Sequence, residues 1–213
     1  TGGVEGFFQE EGPPGADLGD RGPQIHISQT SRDLVDGSLP EDAPERMRRI
    51  WADVSFVPED APGSIDLGGR TVELNPRTGH TPSDVTVDLT GEGITWCGDL
   101  LWNGMFPNYM DAVPSRLSGA VRNLGATRRR TYVPGHGPLA GPEDFSRYVE
   151  VIDGLEATAR TARREGWTSQ EAGDRHQIPE SLGEWTLFNP SYFQRAVEAW
   201  MREWDSIGRS STP

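Results

Sequence analysis

Between residues 53 and 136 the apolar residues come in short runs, and three of those runs end on an ionisable residue beside glycine. The segments are Thr78-Gly79-His80-Thr81-Pro82-Ser83-Asp84, Thr95-Trp96-Cys97-Gly98-Asp99-Leu100-Leu101 and Tyr132-Val133-Pro134-Gly135-His136-Gly137-Pro138. Short alternating runs read as β-strands, and each strand end sets the direction in which the next residue leaves the sheet. A neighbouring glycine admits close approach of backbone or ligand. Imidazole and carboxylate suit a borderline cation such as zinc. Two histidines and an aspartate just after neighbouring strands can therefore converge on one edge of a sheet.

The rest of the chain is organised around those segments. Strands are expected over 24–28, 54–57, 64–67, 71–75, 85–89, 94–97 and 130–133. Gly68-Gly69 reads as a two-residue hairpin turn, and Gly91–Gly93 closes a second hairpin. Residues 1–24 are rich in Gly and Pro and read as a short helix over 4–9 followed by a loop. The segment 29–52 is polar, with a helix expected around 44–52, where Pro44 suits a first turn. Another helix covers 114–124 and stops at Gly125. Beyond residue 140 the pattern is helical: Phe145, Tyr148, Val149, Ile152 and Leu155 share a face. Thr168 and Glu171 have capping-box spacing, and Asn189-Pro190 reads as a cap and first helical position. Tyr192, Phe193, Val197, Trp200, Met201 and Trp204 form an aromatic stripe that reads as core packing. The organisation expected is a domain over 1–140 and a helical extension over 141–213.

Composition removes several function classes. The net charge is −13 and the pI about 4.7, which argues against binding nucleic acid or an anionic membrane. No apolar run approaches the roughly 20 residues that cross a bilayer. All 20 basic residues are Arg, so lysine Schiff-base chemistry and a P-loop lysine are excluded. The single cysteine, Cys97, permits no intrachain disulfide and reads as a small core residue. With no visible signal peptide, this points to the cytoplasm. The chain opens on Thr1 rather than Met, so a segment upstream is expected.

Gly-His-Thr, then Gly-Asp, then Pro-Gly-His-Gly, in that order, resembles the second half of the metallo-β-lactamase superfamily. The resemblance covers residues 1–140. It implies an α/β fold, part of an αββα sandwich, with one or two zinc ions or another divalent metal. It also assigns roles: His80 completes the first metal position, Asp99 bridges both metals, and His136 serves the second. Asp84 either braces the His80 turn or is an ordinary turn aspartate. His26 reads as structural and His176 as solvent-facing. Trp102, Met105, Phe106 and Tyr109 are expected to wall the substrate opening.

The family's first motif, His-x-His-x-Asp-His, is absent from the chain. By resemblance, each metal is then offered one histidine and a share of Asp99, whereas a catalytic zinc normally takes three protein ligands. The isolated chain is expected to hold metal poorly. Thr1-Gly2-Gly3 resembles the residues that directly follow that motif. The function implied is metal-dependent hydrolysis of an ester, lactone, thioester or amide in a small-molecule substrate, completed by an N-terminal segment or chain. Two alternatives remain open: a self-cleaved enzyme with Thr1 as nucleophile beside its own α-amine, and a metal-free binding or regulatory module. Substrate and oligomeric state are left open.

Overall fold

A computed structural model describes residues 24–43, 45, 48, 51 and 54–210. The chain divides into two compact units between Asp60 and Ala61. The helix expected over 4–9 and most of that over 44–52 lie outside the described residues.

In the first unit, β1 (Ile25–Ile27) runs parallel to β2 (Val54–Phe56), with Ile25 opposite Val54. Between them lies α1 (Gln29–Ser38), a helix the sequence reading did not anticipate. Ser28 caps it by accepting the Ser31 N–H at 3.0 Å. Val35 and Leu39, one turn apart, pack against Ile27 and Trp51. Two apolar residues in a polar stretch give little periodic signal, which is why the helix was not legible.

The second unit is built on a five-stranded sheet in the order β3 (Gly63–Asp66), β4 (Thr71–Arg77), β5 (Asp84–Leu89), β6 (Ile94–Trp102), β7 (Thr131–His136). Neighbours are antiparallel except β6 and β7, which are parallel. A parallel pair needs a crossover, supplied here by α2 (Pro114–Ala126). Three helices follow: α3 (Pro142–Glu165), α4 (Ser169–Arg175) and α5 (Tyr192–Ser210). The Thr168 capping box opens α4, with the Thr168 N–H donating to Glu171 at 2.8 Å. Asn189 accepts from the Ser191 N–H at 2.9 Å, so α5 starts slightly later than its Asn-Pro pair suggested.

One continuous core joins Leu100 and Leu101 of β6, Leu117 and Val121 of α2, Phe145 and Leu155 of α3, and Val197 and Trp200 of α5. The change from strands to helices near residue 140 falls inside this core. Among the described residues, no helix is long and apolar enough to cross a membrane.

Register gives the sheet two unlike faces. Thr86, Asp88, Thr95, Cys97 and Tyr132 share one face and are buried. The buried Asp88 carboxylate accepts from Asn75 at 2.9 Å and from Thr95, and pairs with Arg129 at 3.3 Å. Val87, Leu89, Ile94, Trp96 and Val133 share the other face. There Trp96 is 39% exposed and the rest are half-buried.

His176 corrects an expectation: it is buried, not solvent-facing. It ends α4 and packs against the ring of Phe193 at 4.6 Å. The Thr158 hydroxyl donates to the Gly154 carbonyl at 3.1 Å, so at 2.8 Å it receives the His176 Nδ1–H. Nε2 is then a buried lone pair with no hydrogen-bond partner among the described residues. Burial lowers the pKa of the imidazole from 6.5 to about 4. The unfolded chain takes up this proton near pH 6.5 and the fold only near 4, so stability falls as pH drops through that window. The loss is on the order of 3 kcal/mol. His176→Phe should make urea midpoints measured at pH 7 and pH 4.5 differ less than in the parent chain.

Candidate metal centre

The three segments meet at one end of the five-stranded sheet. His80 lies in the turn between β4 and β5, Asp99 near the end of β6, and His136 is the last residue of β7. Because Asp99 stands within β6, the strand runs to Trp102 and does not stop before it, as the sequence suggested. The irregularity falls at Gly98, whose φ of +53° accompanies a register shift against β7. A shift of this kind turns the following side chain relative to a regular strand.

The two carboxylate oxygens of Asp99 face different histidines. His80 Nδ1 lies 3.9 Å from Oδ2, and His136 Nε2 lies 3.6 Å from Oδ1. Both separations are too long for hydrogen bonds. They match two donors that share a cation, each at roughly 2.0–2.2 Å from it, which leaves the donors about 3–4 Å apart. The His80 side chain is 15% exposed, whereas Asp99 and His136 are 41% and 44% exposed. The open side of the centre therefore lies at Asp99 and His136. Among the described residues, no three His, Cys, Asp or Glu side chains close on one point as a finished metal site would. The donors fit such a site in type and in pairwise spacing.

The surrounding residues explain why the three hold these places. Asp84 braces the His80 turn by accepting from the Thr81 N–H at 3.1 Å and the Thr81 hydroxyl at 2.7 Å. Burial raises its pKa, against the opposing pull of those hydrogen bonds and of His80. Gly79 donates to the Thr81 carbonyl and accepts from Val113, both at 2.9 Å. A Cβ on Gly79 would meet Leu100 at 2.7 Å. A Cβ on Gly135 would stand 1.9 Å from Asp99 Oδ1. These two glycines are therefore required by close approach.

One contributor, Asn103, was not anticipated from sequence, and Trp102 was expected only as a wall of the opening. The Asn103 side chain donates to the carbonyls of Pro138 and Leu139 at 3.0 and 3.3 Å, and its N–H donates to the His136 carbonyl at 2.9 Å. It thereby clamps the turn after His136. Trp102 lays its indole 3.9 Å from the His136 ring and 6.0 Å from that of His80. Of the four residues expected to wall the opening, Trp102 stands beside the histidines, whereas Phe106 and Tyr109 are fully buried in the core. An apolar run is read the same way whether it lines an opening or fills an interior, so sequence did not separate them. His26 is exposed on β1, and Cys97 is buried with its pKa raised to about 12 by that burial. Thr1 lies outside the described residues.

No family model matches the chain. A hydroxyacylglutathione hydrolase from Acidiphilium cryptum (strain JF-5) is 30% identical over 141 residues, covering 65% of this chain and 55% of that protein. The chain thus spans about half the length of the curated relative it matches. Among solved structures, a stereoselective inverting sec-alkylsulfatase from Pseudomonas sp. superposes with a TM-score of 0.55 at 17% identity, over 76% of this chain and 29% of that one. A metallo-β-lactamase from Pontibacter korlensis gives a TM-score of 0.48 at 23% identity, over 61% of this chain and 58% of its own. The ordered motifs and the likeness to the hydrolase make this chain similar to the later part of the metallo-β-lactamase superfamily, on an α/β sheet of the kind that superposes on the alkylsulfatase.

Proposed function

We propose that the chain is the later part of a metal-dependent hydrolase, in which His80, Asp99 and His136 contribute to a centre for one or two zinc ions. The observation that carries this reading is the Asp99 carboxylate, with one oxygen turned to each histidine. A bound zinc supplies a nucleophile from water near neutral pH and polarises the bond under attack. The chain's own residues supply the rest. His80 and His136 present imidazole nitrogens, the Asp99 carboxylate lies between them, and Gly135 keeps the space Asp99 needs. The exposure of Asp99 and His136 leaves a side open to a small-molecule substrate. Among ester, lactone, thioester and amide bonds, the hydroxyacylglutathione in the relative's name favours a thioester.

An N-terminal segment or chain carrying the remaining ligands completes the centre. Two observations support it. Among the described residues the donors stop short of three around one point, and the sheet face with Val87, Ile94 and Trp96 is apolar yet partly open, with Trp96 39% exposed. An apolar sheet face of this kind is stabilised by a second layer.

Asp99→Asn tests the reading. It preserves volume but removes the charge between the histidines. In the native protein, zinc content by elemental analysis should fall from near-stoichiometric to below a tenth, and thioester hydrolysis should fall with it. Unchanged zinc in the variant would contradict the assignment of Asp99.

A further inference from the structure

We propose that Trp102 is the positioning residue that fixes the rings of His80 and His136. The proposal rests on the reading of those histidines as metal ligands. A ligating histidine ordinarily donates its second ring N–H to a carboxylate, carbonyl or water, and that bond sets its orientation. Among the described residues, neither imidazole here has a hydrogen-bond partner; each meets Asp99 only at ion-pair distance. An imidazole is free over a broad range about its second side-chain torsion, and a packed aromatic neighbour restricts it.

The indole of Trp102 is placed to do so. Trp102 is the register partner of His136 across β6 and β7, and the adjoining Asn103 N–H donates to the His136 carbonyl at 2.9 Å. The two rings lie 3.9 Å apart at a tilt of 38°, which is direct contact. The same indole lies 6.0 Å from the His80 ring. One rigid group, 6% exposed, thus borders both histidines from the protein side. Phe188 meets the indole edge-on at 6.3 Å and supports it.

Among the described residues, the buried indole N–H of Trp102 has no hydrogen-bond partner. A buried indole usually finds one, so hydrogen bonding does not account for this side chain. What it supplies is a flat aromatic surface. A phenyl ring should then serve in its place, and a branched aliphatic side chain should not.

The test compares Trp102→Phe with Trp102→Leu in the native protein. The first readout needs no metal: long-range proton–nitrogen NMR of the imidazoles, in a chain with only four histidines. Single sharp patterns for His80 and His136 are expected in the parent and in Trp102→Phe, with broadened or averaged patterns in Trp102→Leu. The second readout is the zinc dissociation constant, with the visible absorption of the cobalt(II) form as the report on ligand geometry. Trp102→Leu should bind zinc about 10–100-fold more weakly, the range seen when a ligand's outer support is lost. Trp102→Phe should stay within about threefold of the parent, a difference below 1 kcal/mol. Equal losses in both variants, or parent-like imidazole signals and affinity in Trp102→Leu, would overturn the proposal. If the parent takes up no zinc, the imidazole signals still decide whether Trp102 positions the rings, and the failed uptake counts against the metal reading alone.

Discussion

Gly135→Ala should lower stability and strip the centre of metal, although it adds a single methyl group. The added carbon would stand 1.9 Å from Asp99 Oδ1, 2.8 Å from the Gly98 carbonyl carbon and 2.9 Å from the Asp99 nitrogen. Rotating the Asp99 side chain relieves the first contact and takes the carboxylate from between its histidines. The other two are backbone contacts, so relief there requires β6 and β7 to part at the register shift that shapes the site. Overpacking of this kind costs about 1–3 kcal/mol. Zinc affinity should fall about 10–100-fold, because the ligand is displaced and not deleted. Gly91→Ala is the control: a Cβ there meets nothing within 4 Å, so both quantities should stay unchanged. Urea unfolding and zinc titration of the two variants make the comparison.

Trp200→Ala should have the largest effect on stability. Trp200 is 1% exposed on α5, within the core shared with β6, α2 and α3. Its ring lies 5.2 Å from Trp204, so truncation removes that contact and leaves a cavity. Trp→Ala at such a site costs about 3–5 kcal/mol. For a chain of this size that lowers the thermal midpoint by about 10 °C. Trp204, whose ring lies under the guanidinium groups of Arg160 and Arg163 at 5.5 and 5.3 Å, is half-buried, and its replacement should cost less. Calorimetry of the two variants ranks them. A small effect at Trp200 would mean that α5 is not part of the main core.

The aromatic stripe that predicts this result was legible in the sequence because α5 is long and its apolar residues keep helical spacing. The hairpins were legible for a similar reason: Gly68-Gly69 and Gly91–Gly93 punctuate alternating strands. The positions of His80, Asp99 and His136 near strand ends followed from glycine placement, and the structure brings all three to one sheet end. What sequence did not show depends on contacts between distant segments. The Asn103 clamp on Pro138 and Leu139 joins residues that only the β6–β7 pairing makes neighbours. Trp102 and Phe106 belong to one apolar run, but the turn after β6 sends one ring to the histidines and the other into the core. His176 sits in a polar stretch and is buried because Phe193 of α5 covers it, a contact no local pattern encodes.

The central claim is that this chain supplies His80, Asp99 and His136 to a zinc centre whose other ligands come from an N-terminal segment. Intact mass and zinc content of the native protein, measured on one sample, test it most directly. The expected result is near-stoichiometric zinc, together with a polypeptide stretch bearing His-x-His-x-Asp-His, either joined to this chain or held beside it. A native protein consisting of this 23.4 kDa chain alone, with no zinc and no uptake on titration, would contradict it.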